Sequence, residues 1–454
     1  MAGIFKAYDV RGLYPEQLDE AKAEAIGRAF RALLEASDAG GAGTLGEVAV
    51  SRDMRSHSVP LSEALIRGLR VAGLDVVDIG LATTPMSYFA VGRLGAAGGV
   101  QVTASHNPAR YNGLKFSLRE ARPVSGDDGI PLLERLVLSG RLPEAERPGA
   151  LREADIFEEY AAHLLGCLRR PAGARRLQVV VDAANGMGTI YRPILERAGI
   201  ELIPLYFELD GTFPHHEANP LKLENLADLR AAVHEHGADL GVAFDGDADR
   251  AAFVDERGDP IGSDLITALI GGEKLTSRPG GVVVYDVRSS RAVAEYLAER
   301  GGEPVRERVG HSFIKATMRE RDAVFGGELA GHYYFRENYF ADSSLLAVFE
   351  VLSILWDRGG PMTEVIAPLR RYAKSEEINF EVEDKEGAIA RLEERYGSGA
   401  LDRIDGIRID FDDWWFNVRP SNTEPLLRLV LEATTPELLA AKQAELVGML
   451  GEPV

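Results

Sequence analysis

The chain has 454 residues, 45% hydrophobic and 27% charged, which is too long for one core and predicts three or four packed domains. Its 51 basic side chains against 71 acidic ones give a net charge of −20, which argues against a nucleic-acid or anionic-membrane partner and requires local basic groups to draw any anionic substrate. A single cysteine, Cys167, excludes an internal disulfide framework and fits a reducing compartment. The first residues lack a basic start followed by a long apolar run, and no apolar stretch is long enough to span a bilayer. The expectation is a cytoplasmic protein, monomeric or weakly homo-oligomeric, that acts on small molecules.

Phe5 to Gly12 alternates apolar and polar residues, and Glu16 to Ser37 carries apolar residues at helical spacing until Gly40-Gly-Ala-Gly43 interrupts it. Glu47–Val50 reads as a strand ending in the charged loop Ser51-Arg-Asp-Met-Arg55. A helix over 60–72, a strand over 76–79 and a short helix after Thr83-Thr-Pro85 lead to a buried strand over 98–102. The polar run after it, through Lys115, reads as a loop. Asn107-Pro108 is a turn signal there, and proline's fixed φ would hold Ser105 on a stiff bend beside His106. A hydroxyl at a strand end with an imidazole and an amine nearby suits a nucleophile with acid/base partners; the plain alternative is a polar surface loop.

The same grammar recurs. Leu177–Asp182 and Asp239–Phe244 are strands running into polar loops, as are Gly281–Tyr285 and Ala323–Phe325. Each of three consecutive blocks thus has an early and a later strand ending in a polar loop. That is the sequence form of three similar α/β domains with mixed, mostly parallel sheets. Ligands of open α/β sheets sit outside the carboxyl ends of the strands, so the loops would share a central cleft. The last block differs, with strands over 377–382, 406–411, 414–418 and 426–432, and helices over 385–396 and 435–450. It reads as a C-terminal α+β domain. The expected boundaries are 1–150, 151–254, 255–368 and 369–454. Cys167 is expected in the core, and of Trp414 and Trp415, which alternate across a strand, one is expected there.

Asp245, Asp247 and Asp249 stand at alternate positions between small residues, a spacing that can aim three carboxylates at one hard cation. A calcium EF-hand competes, with Glu256 at its twelfth place, but its sixth place is Arg250 instead of glycine and a strand precedes the loop. A magnesium site short of one protein ligand would accept a phosphate oxygen. The stretch from Arg419 through Pro420, Ser421, Asn422, Thr423 and Glu424 to Pro425 offers a guanidinium, hydroxyls, an amide and a turn of backbone N–H groups, a cradle for phosphate to which Arg428 would add charge. Glu328 and His332 share a glycine-bounded loop in which Glu328 would accept from two sugar hydroxyls. His311 and Arg288 add an imidazole and a cation.

Thr103-Ala-Ser-His-Asn-Pro108, Asp245-Gly-Asp-Ala-Asp-Arg250, Gly327-Glu-Leu-Ala-Gly-His332 and Arg419 to Pro425 occur in the order of the α-D-phosphohexomutase family. With Phe5 to Gly12, the chain resembles that family's phosphomannomutase/phosphoglucomutase branch over essentially its whole length. The resemblance implies four domains around a central cleft and reversible phosphoryl transfer between the 1- and 6-positions of mannose or glucose phosphate. It implies one Mg2+ per chain and a hexose 1,6-bisphosphate that serves as intermediate and activator. Ser105 matches the family's phosphoserine, and Asp245, Asp247 and Asp249 match the metal ligands that it completes. Tyr8, Arg11 and Arg250 match residues near the reacting phosphate, and Lys115 and His311 match the acid/base candidates, with the choice between them open. Glu328 and His332 match sugar and substrate contacts, and Arg419, Ser421, Asn422 and Thr423 match the distal phosphate clamp. Two departures stand out: Ala330 replaces the branch's usual serine, and Arg288 stands where lysine is usual. Asn422 stands where the glucosamine-phosphate branch usually has glycine, which disfavours that substrate. A metal-dependent sugar-phosphate phosphatase and a silent binding protein remain as alternatives, the first weakened by the distal clamp and the second by the joint presence of serine, triad and clamp.

Overall fold

The apolar runs expected to be strands form the centres of the sheets. In the computed structural model, which describes residues 3–37, 45–124, 129–421 and 426–454, the chain divides into two units. One comprises residues 1–262 and 330–365; the other comprises residues 263–329 and 366–454.

The first unit opens with a seven-stranded sheet. Gly98–Val102, Val48–Arg52, Val76–Leu81 and Leu151–Glu153 lie parallel in that order. Tyr111–Leu118 pairs antiparallel with Gly98–Val102 on one side and with Asp9–Leu13 on the other. The loop expected through Lys115 therefore ends at Arg110, and Lys115 stands on a strand. Turn propensity at Asn112-Gly113 yields to pairing on both sides, and the glycine permits it: a Cβ there would lie 2.3 Å from the Val10 carbonyl oxygen.

Helices Glu20–Ser37 and Ser58–Val71 cover this sheet, burying Phe30, Leu33, Leu61 and Leu65. They cross at glycines, since a Cβ on Gly68 would stand 2.0 Å from the Glu24 carbonyl oxygen. Helix Thr84–Leu94 is capped by Thr83, whose hydroxyl accepts from Met86 N–H at 3.1 Å, and ends at Gly95 with φ +62°.

The second sheet repeats the first. Glu201–Leu205, Gln178–Asp182 and Leu240–Phe244 lie parallel, and Ala251–Val254 returns antiparallel beside the last. In the second unit, Glu303–Glu307, Val282–Asp286 and Phe325–Gly327 repeat the parallel trio. Each time the early and the later strand of a block lie side by side, so the repeat read in the sequence is a repeat of topology. The rest of that unit holds a six-stranded sheet in which Trp414–Pro420 pairs antiparallel with Ile407–Asp410 and Leu427–Ala433. Helices Lys385–Arg395 and Pro436–Leu450 pack on it, which is the α+β block expected.

Two expectations about single residues are corrected. Cys167 is the last residue of helix Phe157–Cys167 and is only half-buried, because the apolar face ends at Leu164 one turn earlier. Trp414 and Trp415 are both buried: Trp414 lies in the apolar core, and Trp415 donates to Glu432 Oε1 at 2.7 Å under the Arg408 guanidinium. Both faces of this sheet are covered, so alternation does not separate core from solvent. No helix among the described residues is long and apolar enough to cross a membrane.

Candidate active site

Ser105 follows the carboxyl end of Gly98–Val102 and is 1% exposed. It takes φ +53°, a left-handed conformation that a non-glycine residue keeps only when its surroundings enforce it. Those surroundings are specific. Thr103 Oγ1 accepts from Ser105 N–H at 3.0 Å, and Asn107 N–H closes a turn on the Ala104 carbonyl at 3.0 Å. Beneath the turn lies Arg55, whose side chain is fully buried. Its Nη2 donates to the carbonyls of Ser105 and Asn107 at 2.9 and 2.6 Å, and its Nη1 to those of Pro108 and Tyr111 at 2.9 and 3.1 Å. Asp53 holds the guanidinium at 3.2 Å and also accepts from Thr103 Oγ1 at 2.8 Å. The charged loop at 51–55, to which the sequence assigned no role, is thus the scaffold of the serine turn.

The three aspartates lie in the tight connection between Leu240–Phe244 and Ala251–Val254. A strand–turn–strand with Glu256 turned away to accept from Thr363 N–H at 3.1 Å is not an EF-hand. Asp245 Oδ1 accepts from the N–H groups of Asp249 and Arg250, both at 3.1 Å, while Oδ2 accepts from Ser105 Oγ at 2.8 Å. Thr84 Oγ1 donates to Asp247 Oδ2 at 2.6 Å. Ala248, at φ +57°, turns its carbonyl to Ser344 Oγ at 2.6 Å and Tyr191 OH at 3.3 Å. Gly246 lets this loop reach the serine turn, since a Cβ there would lie 2.3 Å from the Ser105 carbonyl oxygen. Gly246→Ala is therefore expected to destabilise the first unit by about 1–3 kcal/mol, read from chemical denaturation.

One oxygen from each aspartate lies within 4.8 Å of the others, all three residues are buried, and Asp247 Oδ1 has no hydrogen-bond donor among the described residues. An all-carboxylate set with an unsatisfied buried oxygen fits a hard divalent cation. Burial, followed by the charges of Asp249 and Asp247, holds the Asp245 carboxyl well above its usual range. Burial opposes charge on Asp249 as well, but Lys115, His332 and Arg250 hold that carboxyl well below it.

Lys115 Nζ bridges Asp247 Oδ2 at 2.7 Å and Asp249 Oδ2 at 2.5 Å, and the aspartates keep its ammonium charged against burial. His106 Nδ1 lies 3.1 Å from Ser105 Oγ, and burial beside Arg250 and Arg11 keeps the imidazole neutral at pH 7. Arg11, paired with Asp9 at 2.5 Å, donates to Asn107 Oδ1 at 2.6 Å; half-buried Tyr8 precedes its strand. His332 Nε2 is 3.3 Å from both Asp249 Oδ1 and Arg250 Nε, so it stands against the aspartate loop.

The second unit gathers the remaining candidates at the ends of its own strands. Arg288 follows Val282–Asp286 and pairs with Asp286 at 2.7 Å. Glu328 follows Phe325–Gly327, is buried, and accepts from Gly310 N–H at 2.9 Å, one residue before His311 opens a helix. Arg419 and Arg428 face each other across paired strands. Both reach Glu377, at 3.1 and 3.0 Å, as does Arg288 at 3.2 Å. Ser421 N–H donates to the Leu426 carbonyl at 2.9 Å; Asn422 and Thr423 lie outside the described residues. Sequence reasoning missed Glu377, Thr84 and Arg55, whose partners, Asp53 beside Arg55 apart, are 40 or more residues away.

The phosphoglucomutase/phosphomannomutase family matches this chain in four successive pieces. Its alpha/beta/alpha domains I, II and III match residues 2–138, 158–258 and 262–372, and its C-terminal domain matches residues 377–449. The phosphohexose mutases of Xanthomonas campestris pv. campestris (strain B100) are 40% identical over 451 residues, covering 98% of each chain. A phosphomannomutase of Escherichia coli is 37% identical over 458 residues, again covering 98% of each. The crystal structure of a phosphoglucomutase/phosphomannomutase family protein from Burkholderia thailandensis superposes with a TM-score of 0.90 at 34% identity, covering 99% of this chain and 97% of that one. The four-domain α/β and α+β architecture and the matches along the whole length lead to one conclusion: the chain belongs to the phosphoglucomutase/phosphomannomutase family.

Proposed function

We propose that the protein interconverts the 1- and 6-phosphates of mannose, glucose or both, through phosphorylated Ser105 and a hexose 1,6-bisphosphate. The observation that carries this reading is the Ser105 hydroxyl donating at 2.8 Å to Asp245 in a buried three-carboxylate cluster. A substrate hydroxyl attacks the phosphorus of phosphoserine, the bond from phosphorus to Ser105 Oγ breaks, and the hydroxyl proton passes to a base. Ser105 Oγ then attacks the other phosphorus of the bisphosphate, the bond from that phosphorus to the sugar oxygen breaks, that oxygen takes back a proton, and the monophosphate product leaves. One Mg2+, held by Asp245, Asp247, Asp249 and the phosphorylated serine, would offset charge on the transferring group. Arg11, Arg250 and Lys115 add positive charge on that side, with neutral His106 beside them, and Tyr8 would contact the reacting phosphate. Lys115 and His311 are the two candidates to move that proton, and Lys115 is held as an ammonium by its two carboxylates. Glu328 and His332 would contact the substrate, and Arg288, Arg419, Ser421, Asn422, Thr423 and Arg428 would hold the phosphate that is not reacting. Ala330 offers no side-chain hydrogen bond, so selectivity between sugars rests on the remaining contacts.

Incubation with glucose 1,6-bisphosphate and magnesium should add one phosphoryl group to the intact mass. Mannose 1-phosphate should then become mannose 6-phosphate without inorganic phosphate; stoichiometric phosphate release would instead identify a hydrolase. Comparison of kcat/KM on mannose, glucose and glucosamine 1-phosphates ranks the sugars, with glucosamine expected last. Asp247→Asn is expected to weaken magnesium binding by roughly 10–100-fold, measured by calorimetry, with a parallel loss of turnover. Unchanged turnover after exhaustive chelation would remove the metal from the mechanism.

A further inference from the structure

Three guanidiniums of the second unit converge on one carboxylate. Glu377 Oε2 accepts from Arg288 Nη1 at 3.2 Å and Arg419 Nη2 at 3.1 Å, and Oε1 accepts from Arg428 Nη1 at 3.0 Å. Arg288 and Arg419 are 6% and 2% exposed, and the Nε of each is buried with no hydrogen-bond partner among the described residues. Backbone register brings the groups together. Glu377 immediately precedes Ile378–Phe380, whose pairing with Leu427–Ala433 sets Asn379 opposite Arg428, and Arg419 lies opposite Arg428 on the other side. Burial opposes charge on Glu377, but the three arginines bring its carboxyl down to about 2, so it is an anion at any physiological pH.

A phosphate dianion offers guanidinium donors the same oxygen geometry as a carboxylate and more charge. It would draw on the donors that Glu377 now uses. We propose that Glu377 is an internal counter-anion of the phosphate clamp, occupying the arginine donors until a sugar phosphate takes them and speeding its release afterwards. This rests on the clamp reading given above. The proposed reaction requires such a device, because a bisphosphate that must react at each end in turn has to be let go by whatever grips it. Two buried guanidiniums and the half-buried Arg428, without a competing anion, would bind the intermediate so well that release limits turnover. Asp286, 2.7 Å from Arg288, lowers the net charge of the clamp further.

Calorimetric titration of the full chain with mannose 1-phosphate, in the presence of magnesium, tests this. Glu377→Gln is expected to bind about tenfold tighter, with KM and kcat falling together. Glu377→Asp, with its charge retracted by one methylene, is expected to tighten binding by a smaller factor and decides the matter if Glu377→Gln does not fold. Equal or weaker affinity in the folded variant overturns the proposal, since a merely structural carboxylate gives no gain in affinity when removed. Arg419→Ala separates the two readings. If it leaves affinity unchanged, the clamp itself is misassigned and the proposal falls with it. If it weakens binding while the Glu377 variants fail to tighten it, the clamp stands and only the counter-anion role is lost.

Discussion

Ser105→Ala is expected to abolish phosphorylation by glucose 1,6-bisphosphate and to lower mutase turnover by at least about a thousandfold. The substitution removes the one atom that would carry the phosphoryl group and leaves its setting nearly intact. The turn is held by the backbone bonds of Ser105 and Asn107 and by Arg55, none of which uses the hydroxyl. Asp245 Oδ2 loses its bond from Ser105, but Oδ1 keeps its two backbone donors. The variant should therefore fold, retain most of its magnesium affinity and bind sugar phosphates. Intact-mass spectrometry after incubation with bisphosphate checks the first outcome and coupled assays the second. Full turnover in this variant would show that another residue carries the phosphoryl group.

Arg55→Met should have the largest effect on stability, about 3–5 kcal/mol, because it leaves Asp53 buried without its cation and takes the donor from four carbonyls, those of Ser105, Asn107, Pro108 and Tyr111. Methionine fills similar space, so the loss comes from polar groups and not from a cavity. Arg55→Lys should recover little, since one ammonium cannot replace the planar fork that bonds Asp53 and four carbonyls at once. Because the same fork fixes the Ser105 carbonyl, folded molecules of either variant should also take up phosphate on Ser105 more slowly. Chemical denaturation and a phosphorylation time course measure the two effects. An unchanged denaturation midpoint would refute the scaffold role.

The places where the sequence could be read, and where it could not, follow from the range of the interactions involved. The strands 98–102, 178–182, 240–244 and 282–286 were legible because each is a short apolar run bounded by turn residues, and burial on both faces requires such a run. The Asp245, Asp247 and Asp249 cluster was legible because its geometry is set inside a single turn. Lys115 was misplaced on a loop because its strand exists only through partners at Asp9–Leu13 and Gly98–Val102. Cys167 and the tryptophan pair were misjudged for a related reason: a helix end and the second face of a sheet are covered or bared by elements far away in the chain.

Side-chain chemistry followed the same division. By itself the sequence determined which groups are present and their order: a serine after a strand, three alternating aspartates, an arginine-led polar turn. Short-range spacing and strand pattern suffice for that. Only the tertiary structure decided that Arg55 supports Ser105 from beneath, that Thr84 fixes Asp247, and that Glu377 sits among three arginines. Each of these is a polar contact between separate strands or loops. Its existence depends on register and burial, and no local pattern of residues encodes it.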